Sequence, residues 1–180
     1  FVDLETLFDK ISYGLRGNGC FLTMDIIGRN GHMRWPEALE VVNAIWSSLP
    51  DKYKYHHLLK HFEEKYENRD YSIDGGFEGV RAQDILPLLI DRFDFALFFA
   101  FGNLVDVFLD RGFGPNFEIH REQDRIIIDF IASLDESLIE NGVITPCHLI
   151  AELRKRDTLK HEKMRCFKHL TPKYCLRVPP

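Results

Sequence analysis

No apolar run in this sequence approaches the roughly 20 residues that a membrane-spanning helix requires, and no charged start leads into an apolar secretory segment. A cytoplasmic protein without a membrane partner is the expectation. The four cysteines, Cys20, Cys147, Cys166 and Cys175, include no C-x-x-C pair, so neither a disulfide framework nor a zinc site is indicated and reduced thiols are expected. No G-x-G-x-x-G occurs, which removes the usual glycine signal of a nucleotide loop. No serine sits in a G-x-S-x-G elbow, so a hydrolase reading has no anchor. His57 and His61 have the spacing of two metal ligands but lack the glutamate of H-E-x-x-H. Asp70 and Asp74 lack the calcium-loop pattern, and His169 between Cys166 and Cys175 is too sparse for zinc. No metal is expected, and there are no internal repeats or low-complexity segments.

What is present suits one domain or part of one: 180 residues, 45% hydrophobic, with 15 Phe to fill a core. The net charge of -5 hides an asymmetry. Residues 154–180 carry nine Lys or Arg against two acids, whereas residues 1–153 carry 14 against 26. We divide the chain into a body, 1–156, and a basic tail, 157–180, expected to be solvated or loosely docked on the acidic body and dispensable for the fold. No aromatic platform or nucleic-acid module accompanies the tail, which argues against nucleic acid as partner.

Hydrophobic periodicity gives alternating helices and strands. An opening helix, 2–15, has a stripe of Leu4, Leu7, Phe8, Ile11 and Leu15 with no visible cap. It stops at Gly17-Asn18-Gly19, and residues 20–27 follow as a strand buried on both faces. Pro36 begins a second helix ending at Pro50. A third helix is predicted over 52–67, then a loop rich in Asp and Gly over 68–79 that includes Asp74 and Gly75. A fourth helix runs from Asp84 to residue 93, a buried strand over 95–101, a short helix from Asn103, and a long helix over 121–140 with Ile126, Ile127, Phe130, Ile131, Leu134 and Leu138 on its apolar side. Residues 147–153 form a last short strand.

The densest polar cluster follows the first strand: Asn30, His32, Arg34 and Trp35 directly beyond Asp25. In open α/β sheets, ligand sites lie just past the carboxyl ends of strands. Asp25, Asn30, His32, Arg34 and Trp35, together with Arg81, are therefore the candidate site.

Gly19-Cys20-Phe21-Leu22-Thr23-Met24-Asp25, preceded by an amphipathic helix, resembles the fifth strand and its lead-in of class I S-adenosylmethionine-dependent methyltransferases. Ile27-Gly28-Arg29-Asn30-Gly31-His32-Met33-Arg34-Trp35-Pro36-Glu37-Ala38-Leu39 and Gly76-Phe77-Glu78-Gly79-Val80-Arg81-Ala82-Gln83-Asp84-Ile85-Leu86-Pro87-Leu88-Leu89 look like segments of a bacterial subgroup often associated with glycan-biosynthesis proteins. Residues 95–101 are similar to the sixth strand and 146–154 to the seventh, which in the family enters antiparallel to the rest. The resemblance spans about residues 2–156. It implies the carboxyl-terminal half of a Rossmann-like methyltransferase domain, a partial and mostly parallel α/β sheet with an antiparallel last strand and added helices. It also implies S-adenosylmethionine as cofactor, and a small-molecule or glycan-related acceptor.

The glycine-rich cofactor loop and the ribose-binding acid of that family cannot be located here, so the cofactor-binding residues are unknown and the chain is expected to be an incomplete fragment. Under this resemblance His32 is a general base or a loop-stabilising histidine, and Asp25 orients it, contacts substrate or caps the loop. Arg29, Arg34 and Arg81 grip an anionic group or pair with Glu37, Glu78 or Asp84. Asn30 would contact substrate, and Trp35 stacks on the acceptor or anchors a helix entry. The alternative is a non-catalytic binding or assembly module whose exposed sheet edge allows self-association.

Overall fold

A computed structural model describes residues 3–73, 76–159 and 163–177; Asp74, Gly75 and the terminal Pro179 and Pro180 lie outside them. The elements run α1 (Leu4–Gly14), β1 (Phe21–Ile26), α2 (Pro36–Ser48), β2 (Tyr55–His56), β3 (His61–Phe62), α3 (Ala82–Arg92), β4 (Phe93–Phe101), α4 (Leu104–Leu109), α5 (Glu122–Glu140), β5 (His148–Lys155), β6 (Arg165–Cys166) and α6 (Pro172–Cys175). They group into two compact units. One draws on the spans Phe1–His32, Asp70–Phe101 and Thr145–Pro180, the other on Met33–Arg69 and Gly102–Ile144.

The first unit is α/β, with a mixed sheet in the order β1-β5-β4-β6. β5 is antiparallel to β1 and to β4, and β6 is parallel to β4, so β1, β4 and β6 point one way and β5 runs against them. The expected mostly parallel sense holds for strand directions, but only the β4–β6 ladder is parallel, because β5 is inserted between β1 and β4. Helix α1 is capped after all: Asp3 Oδ1 accepts from the Thr6 amide at 3.2 Å. Its buried Phe8 meets Phe21 and Phe93 with ring centroids 6.5 and 6.3 Å away. Leu149, Ala151, Leu153, Phe98 and Ala100 are buried on the sheet, and Ala82, Leu86 and Leu89 are buried on α3.

Strands β1 and β4 are not buried on both faces as their apolar runs suggested. Leu22 and Met24 of β1, which stands at the edge of the sheet, are 69% and 75% exposed. In β4 the register with β5 shifts between Phe95 and Leu97. This bulge moves the buried set from Phe93 to the even positions Phe98 and Ala100 and turns Phe99 and Phe101 to the other face. The apolar run is therefore one strand whose inward-facing positions change parity at a slip of one residue.

The described part of the basic tail also departs from expectation. Arg165–Cys166 adds a strand beside β4, Thr171 caps α6 by accepting from the Tyr174 amide at 3.2 Å, and Leu170, Pro172 and Cys175 are buried. Burial pushes the Cys175 thiol up to about 12. The apolar residues scattered among the tail's lysines and arginines are what anchor it.

In the second unit, α2 buries Ala38, Val42 and Trp46. The Trp46 ring meets Phe113 edge-on at 4.8 Å and Phe108 at 6.0 Å, and its Nε1 donates to the Glu63 carbonyl at 3.0 Å. The helix expected over 52–67 is replaced by a turn at Asp51–Tyr53 and the β2–β3 hairpin. Lys60 has φ 59 there, and Tyr55 faces Phe62 across the hairpin at 5.0 Å. Tyr53, His56 and Glu63 are buried in this segment, whereas Leu58, Leu59 and Phe62, apolar residues that would share a helix face with Tyr66, are exposed and only Tyr66 of the four packs on Trp46, at 5.7 Å.

Helix α5 has the expected bounds but another buried face: Asp124, Ile131, Asp135 and Ile139, leaving Ile126 and Phe130 exposed. Two carboxylates hold that face. Asp124 accepts from the Glu118 amide at 2.8 Å and the Tyr53 hydroxyl at 2.5 Å, which lowers its pKa. Asp135 accepts from the Asn103 and Val105 amides at 2.8 and 3.2 Å; burial raises its pKa and these donors oppose the rise.

Because Leu170 is buried in the first unit, Leu170→Ala is expected to cost about 2–5 kcal/mol. Truncation after Arg156 should lower the melting temperature by roughly 5 °C or more. Thermal denaturation followed by circular dichroism checks both, and unchanged melting of the truncated chain would return the tail to a solvated role.

Candidate functional site

The site grows from the way β1 ends. The Ile27 amide donates to the Cys147 carbonyl at 2.7 Å, extending the β1–β5 ladder. Gly28 then passes so close to Cys147 that a Cβ would lie 2.9 Å from its Sγ. The chain next makes a tight turn at Asn30–His32, in which Gly31 has φ 67 and His32 φ 57. A histidine in the left-handed region is strained by of order 1–3 kcal/mol and persists only where its surroundings impose it.

Those surroundings are the segment leading into α3. The Gly31 amide donates to the Gly79 carbonyl at 2.8 Å, and the Tyr71 amide donates to the Gly31 carbonyl at 3.1 Å. Asn30 and Gln83 exchange hydrogen bonds, the Gln83 amide donating to Asn30 Oδ1 at 3.2 Å and the Asn30 amide to Gln83 Oε1 at 3.4 Å. Asn30 thus caps the first turn of α3. Asp70 fills the space beside Gly31 and accepts from the hydroxyl and amide of Ser72 at 2.5 and 2.9 Å. These bonds lower its pKa, with a smaller contribution from the charge of Arg29. The His32 ring lies on Gly79, itself at φ 65, where a Cβ would come 2.4 Å from His32 Cδ2. His32 Nδ1 is 3.9 Å from Glu78 Oε2.

Beside this turn is a cavity of about 650 Å³. Its polar lining is Asp25, His32, Arg81 and His148, and its apolar lining includes Met24, Ile26, Val80, Ile85 and Phe101. Thr23 Oγ1 donates to Asp25 Oδ2 at 2.6 Å, holding the carboxylate against its own strand. His148 is the register partner of Ile26 on β5 and stacks on Phe101, with centroids 5.4 Å apart and planes 20° from parallel. Arg81 Nη1 and Nη2 each donate to Glu5 at 2.6 Å, and Nε donates to Asp84 at 2.7 Å. The Glu5 bonds hold that carboxyl down at about 2 and raise the guanidinium further.

Compared with family models, curated proteins and solved structures, the chain finds no match. Its chemistry is therefore read from this geometry.

Of the residues singled out in the sequence, the structure brings Asp25, His32 and Arg81 to one cavity, with Asn30 bracing the turn that carries His32. Arg34 and Trp35 fall in the second unit and do not line it. Arg34 is buried, its Nη2 is 3.4 Å from Asp106, and its backbone exchanges hydrogen bonds with the Asn68 side chain at 2.7 and 2.9 Å. Sequence reasoning missed His148 and Phe101, which reach the cavity only through strand register. It also missed Glu5, whose link to Arg81 joins residues 76 positions apart. Among the described residues no group of three or more His, Cys, Asp or Glu is placed to hold a metal ion.

Two outcomes follow. Gly79→Ala places a Cβ against the His32 ring at a positive φ, so it should shift the His32 imidazole resonances in proton NMR and cost about 1–3 kcal/mol; an unmoved resonance would deny the clamp. The folded pKa of Glu5 lies below its ordinary 4.5, so its contribution to stability is complete above pH 4.5 and is lost as pH falls toward 2. Thermal melts across that window should show a smaller loss for Glu5→Gln than for the native chain, a difference that added salt reduces because the pair is exposed. Parallel losses would assign the pair no such role.

Proposed function

We propose that this chain provides the acceptor side of an S-adenosylmethionine-dependent methyltransferase. One observation carries the reading. The three strands that resemble the fifth, sixth and seventh of class I methyltransferases, β1, β4 and β5, lie together in one sheet, with β5 antiparallel to the other two. The cavity lies where β1 ends, the position at which open α/β sheets place their ligands.

The residues present do not fit the cofactor's own cradle. The positive-φ glycines of the turn and of the segment leading into α3, Gly31 and Gly79, have their open side filled by the Asp70 and His32 side chains, so neither leaves backbone open for a ligand. Within the proposal the methyl donor is held by protein outside this sequence, and these residues act on the acceptor. Binding energy spent on orientation does most of the work in such a transfer. His32, fixed by its turn, takes the proton from the acceptor's hydroxyl or amine. Asp25 and His148 line the same space and position the acceptor. A second reading, an assembly module, draws on one specific observation: the apolar Leu22 and Met24 stand exposed on a marginal strand.

Calorimetry with S-adenosylmethionine separates the two. The 180-residue chain should bind it weakly or not at all, while the chain extended by its native preceding sequence should bind it stoichiometrically. Tight binding by the short form would overturn the division of labour, and no binding by either would leave the assembly module. In the active extended protein, His32→Gln should lower kcat by about a hundredfold or more with cofactor affinity unchanged. Near-normal turnover between pH 6 and 9 would return His32 to a structural role.

A further inference from the structure

The cavity described above has two properties that its role as an acceptor site does not by itself require. The first is its charge. Its lining holds one guanidinium, Arg81, and three nitrogens of that group already donate to the carboxylates of Glu5 and Asp84. Asp25 is the one carboxylate of the lining itself, and behind the lining Glu5 and Asp84 flank Arg81 and Glu78 stands 3.9 Å from His32. An anionic ligand would meet a surplus of negative charge and a cation whose donors are engaged.

The second property is an aromatic row on the solvent-facing side of the sheet. Phe167 meets Phe99 edge-on at 5.6 Å, Phe99 stacks with Phe101 at 5.3 Å, and Phe101 stacks with His148 at the cavity. Phe101 is 36% exposed, and Met24, which lines the same cavity from β1, is largely so. A flat ring entering the cavity would continue this row, since offset and edge-to-face contacts repeat at such spacings. A sugar phosphate would leave its hydroxyls and phosphate against Phe101, Met24 and Ile26 with few donors to satisfy them.

We propose that the cavity receives a flat aromatic ligand, neutral or positively charged, and excludes anionic sugars. As a statement about the methyl acceptor this rests on the function proposed above; as a statement about binding it stands on the cavity alone.

The test is proton NMR of the whole 180-residue chain, following the imidazole signals of His32 and His148. Tyramine, a phenol carrying an ammonium group, should shift both signals saturably. Glucose 1-phosphate at equal concentration should leave them in place, and glucosamine, cationic but not aromatic, should bind more weakly than tyramine. Phe101→Ala should weaken tyramine roughly five- to tenfold. Should that variant unfold, Asp25→Asn serves instead, and it should reduce the preference for tyramine over uncharged phenol. Shifts caused by glucose 1-phosphate, or none caused by tyramine, would overturn the proposal. Because these readouts need no cofactor, tyramine binding without methyl transfer in the extended protein would retire the enzyme while keeping the ligand class. Methyl transfer to another acceptor without tyramine binding would do the reverse.

Discussion

His32 keeps its left-handed backbone because Gly79 has no side chain, and the cavity depends on that contact. The ring occupies the volume a Cβ at Gly79 would claim, while the Gly31 amide and the Gly79 carbonyl join the same two segments by a backbone hydrogen bond. The loop after β1 and the entry to α3 are therefore one braced object rather than two loops. Asn30 and Gln83 complete the brace by exchanging hydrogen bonds at the start of α3. A turn tied at so many points can carry a strained residue, and such strain is commonly found where a side chain must be held in one orientation.

The sheet supplies the other half of the arrangement. With β5 between β1 and β4, His148 is placed beside Ile26 on one side and Phe101 on the other. The bulge in β4 then decides which phenylalanines enter the core and which join the outer aromatic row. A one-residue slip exchanges the two faces, so the position of the bulge sets the composition of both.

In each unit a few carboxylates are engaged by several specific donors at once. Asp124 and Asp135 replace apolar residues on the buried face of α5 by accepting from backbone amides and a tyrosine hydroxyl. Glu5 and Asp84 engage all three nitrogens of Arg81, which ties α1 to the start of α3; the sequence offered pairing with Asp84 as one of two readings of this arginine, and the link to Glu5 adds to it.

The sequence by itself determined the local elements whose period is strong. The strands near 20–27, 95–101 and 147–153 and the helices from Pro36 and over 121–140 are where their patterns put them, because glycine turns, Pro36 and Asn141-Gly142 act within a few residues. It also marked Asp25 and His32, since both lie in a polar cluster at a strand end. Only the tertiary structure decided which faces are buried and which residues meet. The pattern over 52–67 suits a helix, yet burial of Tyr53 and His56 drew that segment into a hairpin. Arg34 and Trp35 adjoin His32 in sequence but belong to another unit, whereas His148, Phe101 and Glu5 reach the site through pairings that span scores of residues. Period and composition report what a residue prefers locally; register, burial and long-range ion pairs depend on partners that no local window contains.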